Sequence, residues 1–360
     1  MLKSLIFPNN EKIAIDIGTR SIKYIEIKKP KNTTDPIEVL NFKSIPTPND
    51  SLLATYTENP VVNPGAIQDA LEYLSNSCSL KNRDTNLVLY DSTVIINWLS
   101  LNPGPTDVIQ NLVLEKLSTF LPVPVSEWFV DFAVLEEKKD SKVIISEAML
   151  KNNLFEFGKL MQRTGFNPVS IDISSFNVVN SFHKYLMEAE NAKKNIAVVN
   201  MGHNNTTVMI FKEGVLKNLR SLGVGGRDFT QNIMESKGLT FEDAEKYKHE
   251  ELFFLSDASE DQNKNENYNI IKPSFGKLIK GMYDSFDHYL AKFREFKIHE
   301  IILSGGAANF TNIRFLIHRH LNIPAKNGSE LLNFKFQGNE MLENDKNLFS
   351  SAVGGLLRES

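Results

Sequence analysis

The residues from Ile13 to Ile27 read IAIDIGTRSIKYIEI. One carboxylate, Asp16, closes an apolar strand, and Gly18 opens a turn. Thr19, Arg20 and Ser21 fill the tip, and Lys23 follows in a second apolar strand. Small residues at a tight turn let an anion approach backbone N–H groups closely. The hydroxyls and positive charges at positions 19 to 23 stand where phosphate oxygens would sit. Asp16 could hold a magnesium ion through its water shell, since that ion favours one or two carboxylates plus phosphates. The pattern returns as IAVVNMGHNNTTVMIF, Ile196 to Phe211, with Asn200 and Gly202 in place of Asp16 and Gly18, each offset by 184 positions (16 to 200, 18 to 202). A second hairpin facing the first would close on the nucleotide from the opposite side. A third glycine stretch, Ser304-Gly305-Gly306-Ala307, follows an apolar run and precedes a helical pattern. Bare backbone there suits a nucleoside. A single D-x-G turn is as readily a plain hairpin. Two in register with a third glycine turn downstream point to a nucleotide.

These turns need strands to hold them. Apolar runs predict strands at 13–17, 22–27 and 37–45, and again at 196–201, 206–211 and 215–222. Further strands are expected at 86–90, 93–101, 129–136, 142–148, 169–173 and 300–303. Helical spacing of apolar residues covers 64–77, 107–120, 153–164, 174–189, 273–296, 309–321 and 348–358, with another helix from about Asp228. Gly165 reads as a helix C-cap, and Thr240 with Asp243 as an acid-containing capping box opening TFEDAEKYK. Residues 49–63 read as a loop, and 256–269, almost without apolar residues, as a mobile one. Between them, 91–165 has the texture of a compact insertion.

The chain has 360 residues, 41% of them hydrophobic and 23% charged, with a net charge of -4. That length accommodates two domains, and the absence of a long basic block argues against nucleic acid. One cysteine, Cys78, excludes an intramolecular disulfide and suits a reducing compartment. No apolar run reaches the roughly 18 residues of a membrane span. The opening MLKSLIFPNN is too short for a signal peptide and is broken by Pro8. A cytoplasmic location is expected.

At these residues the chain resembles the actin-like ATPase superfamily, and within it the PilM proteins of type IV pilus assembly, with FtsA of cell division as a related competitor. The resemblance rests on IDIGTRSIK, NMGHNNTT and LSGGAA, and on FLPVPVSEWFVDFAVLE, RTGFNPVSIDISSFNVVNSF, GVGGRDFTQNI and GLTFEDAEKYK between them. These occur in family order over about residues 12–325. The resemblance implies an α/β actin-like ATPase fold of two ribonuclease-H-like domains flanking a nucleotide cleft. The first would span 1–190, with a small inserted subdomain at about 91–165. The second would span 191–345, and a helix at 346–360 would pack back on the first. It implies ATP with Mg2+ as ligands, Asp16 facing the metal, and Gly18, Thr19, Arg20, Ser21 and Lys23 facing the phosphates. Asn200, Gly202 and Thr206 would form the facing turn. Gly225 and Gly226 would line the inner side of the second domain, and Gly305, Gly306 and Ala307 would lie beneath the adenosine. Glu242, Glu245 and Lys248 would reach the ribose or base, unless they are a solvated helix face. The partner implied is a PilN-like inner-membrane protein, docked by its short N-terminal cytoplasmic tail in a groove beside the inserted subdomain. The chain would thus sit peripherally at the inner membrane, with a homo-oligomer or ring as its expected assembly.

The sequence departs from the family at Asn200, where an acid is usual, and at His203, where a small residue is usual. An amide can bond a metal-bound water but brings no charge, so the second hairpin would clasp phosphate without promoting hydrolysis. His318 and His320, two apart, face different ways on a helix and read as surface histidines. Cys78 reads as buried filler and the C-terminal stretch as a docked helix rather than a membrane peg. An FtsA-like filament protein and a small-molecule kinase of the same superfamily remain the rival readings.

Overall fold

A computed structural model describes residues 11–30, 32, 35–77, 84–250 and 262–357, so Cys78 and the polar stretch 256–261 lie outside the described residues. In chain order the elements are β1 (Glu11–Ile17), β2 (Ser21–Lys28), β3 (Ile37–Pro46), α1 (Pro64–Ser77), β4 (Asp84–Leu89), β5 (Ile95–Leu101) and α2 (Thr106–Ser118). They continue as β6 (Trp128–Lys138), β7 (Ser141–Leu150), α3 (Lys151–Arg163), β8 (Asn167–Ile173), α4 (Ser174–Met187), β9 (Ile196–Met201), β10 (Thr206–Lys212) and β11 (Val215–Leu222). The remainder is α5 (Gly226–Lys237), α6 (Phe241–Glu250), α7 (Gln262–Phe293), β12 (Glu300–Ser304), α8 (Ile313–Leu321), β13 (Ala325–Asn327), β14 (Phe334–Phe336) and α9 (Lys346–Leu357). The chain forms two compact units. One holds Asp16, Lys23–Phe42 and the chain from Ser174 onward; the other holds Ile17–Ile22 and Lys43–Ile173.

In the first unit, β11-β10-β9-β12-β13 form a sheet in which β9, β10 and β11 are an antiparallel meander. Strand β12 runs parallel to β9 and β13. Strands β9 and β12 are buried along their whole length. Their apolar residues therefore come in unbroken runs rather than alternating, as a strand covered on both faces requires. Asn195 ties down the lower end of this sheet. Its side chain donates to the Lys297 carbonyl at 2.9 Å, accepts from Tyr289 Oη at 2.9 Å, and its backbone N–H donates to His299 Nδ1 at 3.0 Å. Burial pushes the Tyr289 phenol up to about 12, with Glu295 adding to the shift.

Helix α7 departs from the sequence expectation at both ends. The described residues 262–269 are helical rather than loop. Tyr247 Oη donates to Asn267 Oδ1 at 2.5 Å, while Ile271 is buried in the core and Tyr268 packs against it. Pro273 sits inside the helix, but it and Asn269 are exposed, so water can serve the carbonyl that proline leaves unpaired. The helix stops at Phe293 because Arg294 is left-handed, with φ 55°. Likewise α8 begins at Ile313 rather than 309, after a 3-10 turn at Gly306–Asn309 and a left-handed Asn312.

Strands β14-β3-β2-β1 are hydrogen-bonded neighbours, and α9 lies over them. Phe349, Val353 and Leu356 pack among Ile25, Ile27 and Val39. Helix α9 also crosses α4, where Ser181 Oγ donates to the Ser350 carbonyl and Ser351 Oγ to that of Ser174. At this crossing a Cβ on Gly354 would lie 1.7 Å from the Asn177 carbonyl oxygen. Strands β13 and β14 escape the sequence reading because three residues are too few to show a period.

In the second unit β4 pairs in parallel with β8. A separate antiparallel sheet, β5-β7-β6, is covered on one face by α2, whose Ile109, Val113 and Leu117 meet Leu99, Leu101 and Ile144. Residues 49–63 contain no helix; Tyr90 Oη holds the Leu53 carbonyl at 2.7 Å and Asn153 holds that of Glu58 at 2.9 Å. Among the described residues no helix is long and apolar enough to cross a membrane.

Two outcomes follow from this packing. Gly354→Ala should cost about 3 kcal/mol or more in chemical denaturation, as overpacking against backbone does, while Gly158→Ala in α3, where a Cβ meets nothing within 4 Å, should be neutral or stabilising. His299 is held below the usual imidazole range by burial first, then by Lys297 and Lys212. Its folded state favours the neutral ring, so this stability is present above the unfolded value of about 6.5 and is lost as pH falls through it. Thermal melts should drop between about pH 7.5 and 5.5, less steeply in His299→Asn.

Candidate nucleotide site

The second hairpin is closed by Gly202, whose N–H donates to the Asn205 carbonyl at 2.9 Å. Thr206 is buried and its hydroxyl donates to the Val224 carbonyl at 2.8 Å, so it pins the hairpin to the glycine turn before α5. That turn continues the contact: Gly226 N–H donates to the Gly202 carbonyl at 2.9 Å and Arg227 N–H to that of His203 at 2.7 Å. A Cβ on Gly225 would lie 2.5 Å from the His203 oxygen and 2.7 Å from the Asn205 nitrogen. Only glycine fits there. Gly225 N–H in turn donates to Asp228 Oδ2 at 2.8 Å, which fixes the start of α5.

The end of β12 reaches the same place. Gly305 has φ 84°, and a Cβ on it would stand 2.5 Å from the Met201 oxygen and 2.8 Å from Asn200 Oδ1. Gly226 faces Ala307, with 3.8 Å between a Cβ on the glycine and the alanine methyl. Gly306 lies over Leu348 of α9. Three stretches of thinly covered backbone thus converge, one each from the β9–β10 turn, the start of α5 and the end of β12. Asn200 donates from Nδ2 to Ser174 Oγ at 3.4 Å. At the hairpin tip Asn204 Oδ1 is buried and has no hydrogen-bond partner among the described residues. The His203 ring packs edge-on against Phe241 of α6, with centroids 6.1 Å apart.

Glu245 and Lys248 do not lie on a solvated face: they are 2% and 3% exposed. They form an ion pair, and Lys248 Nζ also donates to Thr230 Oγ1 at 2.7 Å and to the Gly226 carbonyl at 3.2 Å. Lys248 therefore supports the glycine turn from behind, while Glu242 is exposed.

The first hairpin carries Asp16 and Lys23 at its base, both largely buried, with Lys23 Nζ donating to Asp16 Oδ2 at 3.3 Å. These two residues cluster with the first unit, whereas the turn between them belongs to the second. There Gly18 N–H donates to the Ser21 carbonyl at 3.1 Å. Thr47 clamps the tip, donating from Oγ1 to the Gly18 carbonyl at 2.6 Å and from its N–H to that of Arg20 at 3.0 Å. Thr19 stands at the tip between them.

Sequence reasoning missed Thr47, Ser174, Thr230 and Asp228. The Gly225-to-Asp228 spacing before a helix carried a legible capping signal. Thr47 and Ser174 bond across 29 and 26 residues and had no local signal. His318 and His320 each bond a backbone carbonyl, of Ile323 and Leu316, at 2.9 Å. Among the described residues no three His, Cys, Asp or Glu side chains are grouped to hold a metal.

This arrangement of hairpin, glycine turn and strand-end glycines can be set beside known proteins. A family model for the type IV pilus assembly protein PilM matches residues 14–360. The chain belongs to the PilM family. The structure of a PilM–PilN type IV pilus biogenesis complex is similar to it with a TM-score of 0.81 and 20% identity, over 97% of this chain and 98% of that one. The ethanolamine utilization protein EutJ of Carboxydothermus hydrogenoformans is similar with a TM-score of 0.55 and 13% identity, over 98% and 90% of the two chains. MreB 5 of Spiroplasma citri, solved with AMPPNP, gives 0.50 and 12%, over 97% and 95%. These likenesses establish the actin-like ATPase fold expected of the sequence. Cell division protein FtsA of Staphylococcus epidermidis is 25% identical over 125 residues, which are 35% of this chain and 25% of that protein. The match therefore spans about a quarter of FtsA.

If Lys248 and Glu245 support the PilM glycine turn as a pair, removing one charge should harm more than removing both. Lys248→Met or Glu245→Gln alone should cost about 3 kcal/mol in urea denaturation, and the double variant less than either single one.

Proposed function

We propose that the chain is a scaffold of a type IV pilus or related secretion machine that binds ATP with Mg2+ as a structural ligand or switch. It would also dock the short cytoplasmic tail of a PilN-like inner-membrane protein. The nucleotide reading rests on one observation, the converging backbone at Gly202, Gly225, Gly226 and Gly305, where added Cβ atoms at Gly225 and Gly305 would collide with the hairpin. Bare backbone of this kind accepts a phosphate or a flat nucleoside closely. The unpartnered Asn204 Oδ1 fits a site that a ligand completes.

In this reading Gly305, Gly306 and Ala307 carry the adenosine, Gly225 and Gly226 approach the ribose, and Glu245 with Lys248 hold that turn in place. Gly202 would face the phosphates, and Lys23 of the same unit would add positive charge. Asp16 would face the magnesium waters. At present it bonds Lys23, so one shared carboxylate and one amide are a weak donor set for a divalent ion. Asn200 donates its amide to Ser174 and presents no negative charge, which supports binding without appreciable turnover. A bound ligand would stabilise the fold by mass action.

The family membership and the PilN present in the similar solved complex support the docking reading. An extended tail beside the β5-β7-β6 subdomain fits the general mode of short-peptide capture by exposed strands and grooves. The match to FtsA supports an alternative, a division-type filament protein. In α9 itself the apolar residues are buried, against the β1–β3 strands and α4.

Calorimetry with Mg·ATP should show binding by the wild-type chain, and Asn200→Asp should bind more tightly only when magnesium is present. Unchanged affinity and turnover in that variant would count against the role given to the amide. Pull-down with a tethered N-terminal tail of a single-pass pilus membrane protein should capture the chain, and failure with every such tail would remove the docking reading.

A further inference from the structure

The turn after β12 has little of its own to hold it. Its internal bonds, from Ala308 N–H to the Gly305 carbonyl at 3.2 Å and from Phe310 N–H to that of Ala307 at 3.4 Å, are long for backbone pairs. A 3-10 turn bonds less well than an α-helix, and adjacent glycines, here Gly305 and Gly306, lose more freedom on ordering than other residues. The first turn of α9 supplies the support. Ser350 Oγ shares a hydrogen bond with Ser304 Oγ at 2.6 Å, where the turn begins. Leu348 lies against Gly306, so that a Cβ on the glycine would come within 3.1 Å of Leu348 Cδ2. Asn347 Nδ2 donates to Asn309 Oδ1 at 3.0 Å, where the turn ends. Residues 347, 348 and 350 of one helical turn thus follow residues 309, 306 and 304 along their length. Asn347 is itself fixed: it is buried, and its Oδ1 accepts the Ser329 N–H at 2.7 Å. Ser329 comes just after β13, the parallel neighbour of β12. One amide therefore joins the segments that leave two adjacent strands.

We infer that Asn347 is a positioning residue for the nucleoside: it sets the shape of the Gly305–Ala307 stretch without touching the ligand. The role rests on the nucleotide reading of that stretch. Asparagine suits it because one short side chain offers a donor to Asn309 and an acceptor to Ser329, and both are used. Alanine would take away both bonds and leave the buried Ser329 N–H without this partner. Bare backbone binds well only if it already holds the shape the ligand needs. A turn that holds it for a fraction of the time binds more weakly in that proportion. The hairpin assigned to the phosphates is held differently. Its ties, from Thr206 to the Val224 carbonyl and from Gly226 to the Gly202 carbonyl, involve no residue of α9. Asn347 therefore bears on the nucleoside and not on the phosphates.

Hydrogen exchange of the full chain should be faster over residues 304–309 in Asn347→Ala and unchanged over the hairpin at 200–207. Ser351→Ala removes a tie from α9 to the Ser174 carbonyl instead, and should leave both stretches as in the wild type. Calorimetry should show ATP affinity lower by about tenfold in Asn347→Ala, while inorganic tripolyphosphate, which lacks the nucleoside, keeps its affinity within about twofold. A general loosening of the fold would weaken both ligands together. Asn309→Ala breaks the same bond from its half-buried end with less loss of packing, and should give the same pattern even if Asn347→Ala does not fold. Unchanged exchange over 304–309, exchange raised equally over 200–207, or parallel losses for ATP and tripolyphosphate would overturn the inference. A wild-type chain that binds no ATP, with 304–309 still loosened in Asn347→Ala, would remove the nucleotide reading and leave the dependence of the turn on Asn347 standing.

Discussion

The end of β12 approaches the end of β9 to a distance that side chains do not permit. Gly305 takes a left-handed φ of 84° with the Met201 carbonyl where its Cβ would be. Gly225 makes the same approach from the other side, onto His203 and Asn205. Backbone meeting backbone draws the β9–β10 turn, the α5 start and the β12 end into one small region. Everything attributed to the site needs that closeness, because a ligand can lie on peptide groups only where nothing projects from them.

The surroundings are built to keep those peptides in place. Thr206 and Gly226 tie the glycine turn to the hairpin. Behind the turn, Lys248 and Glu245 neutralise one another while Lys248 holds the Gly226 carbonyl. A buried ion pair contributes little net stability after desolvation, and its worth here is positional. On the far side, Ser304 of β12 shares a hydrogen bond with Ser350 of α9 at 2.6 Å, and Asn347 bonds Asn309 and the Ser329 N–H. Helix α9 therefore connects the site's strand end to the core over β1–β3.

The replacement of an acid by Asn200 is legible as chemistry and also as packing. Its Nδ2 reaches Ser174 while its Oδ1 lies beside the space above Gly305. A donor on one side and an acceptor on the other suit an amide. A carboxylate would offer the Ser174 hydroxyl an acceptor instead, and would bring charge to the end of a buried strand. The amide thus fits a second hairpin that holds its position with little electrostatic cost and little pull on a metal.

The sequence by itself determined the repeated hairpins, nearly all the longer strands and helices, and the family, because strand and helix periods, glycine turns and ordered motifs are local properties. It also marked Asp16, Gly202 and Gly305 as special, since their types and spacing stand out. Tertiary structure decided what the neighbours do. By sequence Glu245 and Lys248 fit a ligand contact or a solvated face equally until α5 packs over them, and residues 262–269 look like loop until Tyr247 and the core receive Asn267, Tyr268 and Ile271. Thr47 and Ser174 gained roles through partners far along the chain, and β14 exists only because β3 offers it an edge. The physical reason is the same throughout: burial and long-range hydrogen bonds are set by which surfaces meet, and a single segment carries no record of its future neighbours.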